Sequence, residues 1–146
     1  MTIRQMQIAD YPLLYDLWFS VPGMGLNTLD DSEEGVARFL ARNPETCFVA
    51  EENGQVIGCI MSGHDGRRGY IYHTCVHPDH RRKGIGRMLT DAALDALRGC
   101  RIHKVALVVF SDNTTGNAFW ERMDFIARED LVYRNRALSE MQKINT

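Results

Sequence analysis

The chain has 146 residues, four cysteines and a net charge of −2 from 17 basic and 19 acidic side chains. That length suits one domain over residues 1–146, able to bury roughly two-thirds of its unfolded surface without staples, and the slight acidity argues against a nucleic-acid partner. With no apolar run near about 18 residues and no charged-then-apolar leader after Met1, the expectation is a cytoplasmic protein with no membrane partner.

Ile3 to Ile8 reads as a short strand, and Ala9 to Ser20 as a helix, with Leu13, Leu14, Leu17 and Trp18 at helical spacing and Pro12 in the first turn. Val21 to Leu29 carries Pro and two Gly and reads as a loop. Asp30 to Ser32 then offers caps for a helix with Val36, Phe39 and Leu40 inward, closed by Pro44. Cys47–Ala50, Asn53-Gly54 and Val56–Ser62 form a hairpin signature, because Asn-Gly accepts the positive φ angles of a two-residue turn. A second turn, Asp65 to Gly69, leads into a strand from Tyr70 to Val76. Ile85, Leu89, Ala92, Ala93, Ala96 and Leu97 make one helix stripe ending near Gly99. Val105 to Phe110 is a continuous apolar run, as expected of a strand covered on both faces. Asp112, Asn113 or Thr114 can cap a helix through Met123. Phe125 to Tyr133 is expected to return as a final strand, followed by a polar tail from Arg136 to Thr146 with room for a short helix.

Cys47, Cys59 and Cys75 lie in apolar strand-like segments and Cys100 stands apart, a distribution that suits small buried hydrophobes in a reducing compartment rather than a disulfide frame or a nucleophile. Charge is unevenly spread. Positions 30 to 52 hold seven acids against two bases, and positions 81 to 104 hold seven bases against two acids, so the field is basic around the 81–87 loop.

That loop, Arg81-Arg82-Lys83-Gly84-Ile85-Gly86-Arg87, is built like a diphosphate cradle at a strand-to-helix junction. Gly84 and Gly86 let the first helical N–H groups approach bound anionic oxygens, the helix dipole adds positive charge, and Arg81, Arg82, Lys83 and Arg87 supply cations. Arg81-x-x-Gly84-x-Gly86 after a strand resembles the acetyl-coenzyme A motif of the GNAT superfamily of N-acetyltransferases. Downstream, Asn113 to Phe125 (N-T-T-G-N-A-F-W-E-R-M-D-F) resembles that family's closing segment, at family spacing and in family order. The resemblance implies a mixed α/β fold. Its sheet would be mostly antiparallel, with helices on both faces, in the order β-α-α-β-β-β-α-β-α-β.

It also implies acetyl transfer from acetyl-coenzyme A, as co-substrate, to a primary amine by direct attack in a ternary complex. No metal is called for, the acceptor would be a small molecule or a peptide, and a homodimer is an allowed state. By position, a bulged strand splayed from its parallel neighbour would admit the pantetheine arm, with backbone N–H groups near Cys75 and Val76 polarising the thioester carbonyl and the Ile85 and Gly86 backbone within the cradle. Asn113 matches an asparagine that touches the cofactor arm, although it can equally cap the helix it starts. Trp120 stands where many members place the tyrosine that protonates the departing thiolate, and Asp124 replaces a glycine. An indole N–H is no useful acid. The loss is tolerable: a thiol of pKa near 8.5 leaves as thiolate at about pH 7.5 for about 1.4 kcal/mol, whereas an amine of pKa about 10.4 must shed a proton at about 4 kcal/mol.

For that larger need the strand offers no carboxylate. Simple alternation puts Tyr70, Tyr72 and Thr74 on one face and Ile71, His73 and Cys75 on the other, leaving Tyr72 or His73 to act as base through water, with the imidazole the better suited by type. His73, His77 and His80 match no common zinc pattern. The acidic stretch Asp30 to Glu34, beside the Val21–Leu29 loop, is expected either to attract a cationic acceptor or merely to complement a helix dipole. The alternative function, raised by the missing tyrosine, is a catalytically weak coenzyme A-binding sensor or interaction module of the same fold.

Overall fold

A computed structural model describes residues 1–144; the last two positions of the expected tail helix lie outside them. Its strands are β1 Thr2–Gln5, β2 Phe48–Glu52, β3 Gln55–His64, β4 Gly69–Val76 and β5 Val105–Ala106, and its helices α1 Tyr11–Phe19, α2 Glu33–Arg42, α3 Ile85–Gly99 and α4 Thr114–Arg122. The sheet order is β1-β2-β3-β4-β5, antiparallel throughout except for the parallel pair β4–β5.

Local chemistry accounts for most boundaries. Pro12 occupies the first turn of α1, where its missing N–H is no loss. Ser32 caps α2 by accepting from the Gly35 N–H. Asn53 and Gly54, at φ 52° and 76°, make the expected tight turn between β2 and β3. Alternation then sorts the strand residues into two cores. Val49, Cys59, Met61 and Cys75 pack under Leu14, Leu17 and Trp18 of α1 and Val36 and Leu40 of α2. Ala50, Ile60 and Ile71 pack under Ile85, Leu89 and Ala93 of α3, with Trp120 and Phe125 alongside. The fold is thus a mixed α/β sandwich with helices on both faces. Gly58 sets how closely α3 approaches, since a Cβ there would stand 3.1 Å from Leu89 and 3.2 Å from the Cys75 carbonyl oxygen.

Three expectations need correction. Phe125 to Tyr133 forms no strand, so the order ends on α4: Ile126, Leu131, Val132 and Tyr133 are exposed, and strand propensity without a paired edge gives no ladder. The Val105–Phe110 run pairs only over Val105 and Ala106 and is half-buried in alternation rather than covered on both faces, because the α1–α2 core lies under β2 to β4. The tail makes no helix over the described residues. Instead Lys143 bridges Asn27, with the Thr28 N–H donating to the Gln142 carbonyl and the Ile144 N–H to that of Leu26.

Candidate active site

The register of β4 breaks between Thr74, opposite Ile60, and Ile71, opposite Ser62: two steps on β3 face three on β4. The extra residue is a bulge at Tyr72–His73. It resets the alternation, so the simple two-face assignment of this strand fails. Tyr70 lies opposite Gly63 on the α2 side, Tyr72 meets the Phe39 ring of α2 at 5.4 Å, and His73 meets the Trp18 ring of α1 at 5.1 Å; Cys75 joins the same core, while Ile71 faces α3.

On its other edge β4 pairs with β5 only as far as Tyr70–Ala106, so the two parallel strands are unpaired from Ile71 onward. The chain runs from these unpaired C-terminal ends, the usual ligand position in a parallel pair, into the N-termini of α3 and α4. Because the His77 N–H donates to the Ile57 carbonyl of β3 at 2.7 Å, alternation turns the Val76 N–H and carbonyl away from β3, to the β5 side, and the Cys75 N–H toward β3. The Arg81 Nε donates to that Val76 carbonyl at 3.3 Å.

The two helix starts differ. At α4 the Asn113 side chain accepts from the Gly116 N–H at 2.9 Å, so this asparagine serves as the cap. At α3 the residue before the helix is Gly84, in the left-handed conformation (φ 76°, ψ 11°), with no side-chain cap. The first bond back into the helix runs from the Met88 N–H to the Gly84 carbonyl, which leaves the Ile85, Gly86 and Arg87 N–H groups without intrahelical acceptors. Arg81, Arg82, Lys83 and Arg87 are exposed around them. Ile85 contributes backbone only, its side chain being 3 % exposed in the α3 core. Gly86 lies close under α4: a Cβ there would stand 3.2 Å from the Phe119 ring, whereas one at Gly84 would meet nothing within 4 Å, so the two glycines of the motif face different constraints.

Trp120 packs edge-on between Phe119 at 4.9 Å and Phe125 at 5.2 Å. Asp124 adopts φ 67° and turns the chain out of α4 as glycine would. Burial pushes the Cys47 thiol up to about 12, and contact with Cys59, whose Sγ lies 3.8 Å away, together with burial holds the Cys75 thiol well up, while the same contact pulls Cys59 down. Partial burial, then Asp30 and Tyr133, also push the Tyr72 hydroxyl up, away from service as a base. His73 has the partner that sequence reasoning missed. Its Nε2 lies 2.6 Å from Asp31 Oδ1. Forty-two residues separate the two, and Asp31 looks in sequence like one more acid at a helix start. It is therefore not part of an exposed acidic edge; Asp30 and Glu34 are, beside a depression of about 460 Å³ shared with Leu138 and Met141 of the tail. Among the described residues no group of three metal-ligating side chains assembles, and no helix is long and apolar enough to cross a membrane.

The model of the acetyltransferase (GNAT) family matches residues 11–125, which take in the bulged strand, the cradle and α4. The chain belongs to the GNAT acetyltransferase family. An acetyltransferase of Sodalis glossinidius is 32% identical over 145 residues, covering 98% of this chain and 99% of the relative. In fold this GNAT protein is similar to Ard1 of Thermoplasma volcanium (TM-score 0.76, 24% identity, 86% of this chain and 82% of that one). It is similar also to the PaiA N-acetyltransferase of Thermoplasma acidophilum, solved with coenzyme A (TM-score 0.72, 19% identity, 84% and 87%).

Proposed function

We propose that this GNAT protein transfers acetyl from acetyl-coenzyme A to a primary amine by direct attack in a ternary complex, as one cytoplasmic domain. The observation that carries the reading is the start of α3 beside the unpaired ends of β4 and β5, without a side-chain cap, opened by a left-handed Gly84 and ringed by exposed Arg81, Arg82, Lys83 and Arg87. The Ile85, Gly86 and Arg87 N–H groups hold the diphosphate, and Arg81, Arg82, Lys83 and Arg87 neutralise it. The Val76 N–H, on the β5 side, donates to the thioester oxygen, and that bond strengthens as negative charge develops during attack. His73, on the α1–α2 side with Cys75, takes the proton of the incoming ammonium, the costlier of the two proton steps. Trp120 closes the α4 side by packing.

The test is calorimetric titration with acetyl-coenzyme A followed by measurement of released thiol on a panel of a polyamine, an aminoglycoside, amino acids and a peptide N-terminus. Micromolar binding with turnover on one class supports the reading, and absence of binding refutes it. Trp120, packed where a tyrosine acid would stand, favours one second reading: a coenzyme A-binding module of the same fold, which the same panel would reveal as binding without thiol release.

A further inference from the structure

Asp31 is fixed at every polar atom that could let it drift. Oδ2 accepts from the Asn27 N–H at 2.8 Å, Oδ1 faces His73 Nε2 at 2.6 Å, and the backbone carbonyl accepts from the Tyr11 hydroxyl at 2.7 Å. The Asn27 side chain in turn accepts from the Leu29 and Asp30 N–H groups, and the tail at Lys143 bridges the same turn. The side chains of His73 and Asp31 are 15% and 5% exposed, and the Trp18 ring stands edge-on to the imidazole. A buried carboxylate needs such partners, but they do more than neutralise it. An ionised carboxylate only accepts, so Nε2 must carry hydrogen, and in the neutral ring the lone pair is then on Nδ1.

We propose that Asp31 is a positioning residue that holds His73 in the Nε2–H tautomer and so presents Nδ1 as the base, directly or through one water. This rests on the assignment of His73 as base above. Nδ1 takes one proton from the ammonium, and the imidazolium formed is neutralised by Asp31. The N–C bond forms as the C–S bond breaks, nitrogen loses its second proton, and sulfur takes one, so that one proton in all passes to solvent. His73 lies on the α1–α2 face with Cys75, and the bulge lets neighbouring Tyr72 share that face while Ile71 turns to α3.

The test pairs imidazole NMR with kinetics. Long-range ¹H–¹⁵N spectra of the wild-type protein, recorded where the ring is neutral, should show the Nε2–H form. Asp31→Asn, whose amide can donate, should shift it toward Nδ1–H and lower kcat by about 10²- to 10⁴-fold with the KM for acetyl-coenzyme A unchanged. His73→Gln keeps a donor for Asp31 without a basic Nδ1 and should lose kcat as severely while folding normally. A wild-type ring in the Nδ1–H form overturns the proposal. So does full kcat in folded His73→Gln, which also carries the kinetic test should Asp31→Asn fail to fold. A wild-type protein that binds acetyl-coenzyme A yet acetylates no amine would instead overturn the transferase reading, and the tautomer spectrum needs no substrate.

Discussion

Gly84→Ala isolates what the cradle requires of its backbone. At φ 76° and ψ 11° the residue is left-handed, and a Cβ there would meet no atom within 4 Å, so the substitution adds no clash and its cost is conformational. For a residue with a side chain that cost is about 1–2 kcal/mol. If the loop keeps its shape, the penalty appears as lost stability, about 3–8 °C in Tm for a chain of this size. If the loop relaxes in the free protein, Tm is spared and the same energy must be restored on binding, weakening acetyl-coenzyme A by about 5- to 30-fold. The two losses together should amount to about 1–2 kcal/mol, read from a thermal melt and a calorimetric titration of one preparation. Gly84→Asn should lose less, because Asn visits this region more readily. Gly84→Ala with both Tm and affinity unchanged would refute the reasoning.

The second glycine behaves differently: Gly86→Ala places a methyl 3.2 Å from Phe119 and should cost about 1 kcal/mol or more by overpacking, part of which Phe119→Leu should restore in the double variant's Tm. Trp120→Phe keeps the ring packing with Phe119 and Phe125, so turnover should fall by less than about tenfold; near-complete loss in a folded variant would give the indole N–H a chemical role. Asp30→Asn with Glu34→Gln should raise the acceptor's KM at low salt, with the difference fading as screening shortens to about 8 Å at physiological ionic strength, whereas a change in Tm alone would make this edge structural. Burial pushes the Asp10 carboxyl up, but two bonds from Arg4 and one from the Gln7 N–H outweigh it and hold it below the usual range. Its contribution is therefore present above the ordinary carboxylate range and lost as pH falls through the lowered value. Asp10→Asn should flatten the acid limb of the Tm–pH curve and cost about 1 kcal/mol at neutral pH, a modest figure because Arg4 is one-third exposed and screened.

The elements that sequence alone determined are those set by short-range chemistry. Pro12, Ser32, Asn53-Gly54 and the α3 stripe each act within a turn or two, and the cradle lies in one contiguous heptapeptide, so its residue types and its place between strand and helix are both legible. Strand partners are a different matter. Phe125–Tyr133 has the composition of a strand and Val105–Phe110 that of a covered one, yet a ladder needs an edge in register, which no local pattern supplies. The candidate base shows the limit most sharply. Sequence offered His73 and Tyr72 by type and on opposite faces, but one extra residue in β4 puts both on the same face, and that bulge is defined only by the count of residues on β3. Asp31 reads as a helix-start acid until the α1–α2 loop folds over the sheet and turns it inward, because a contact across 42 residues is made by packing and leaves no periodicity behind.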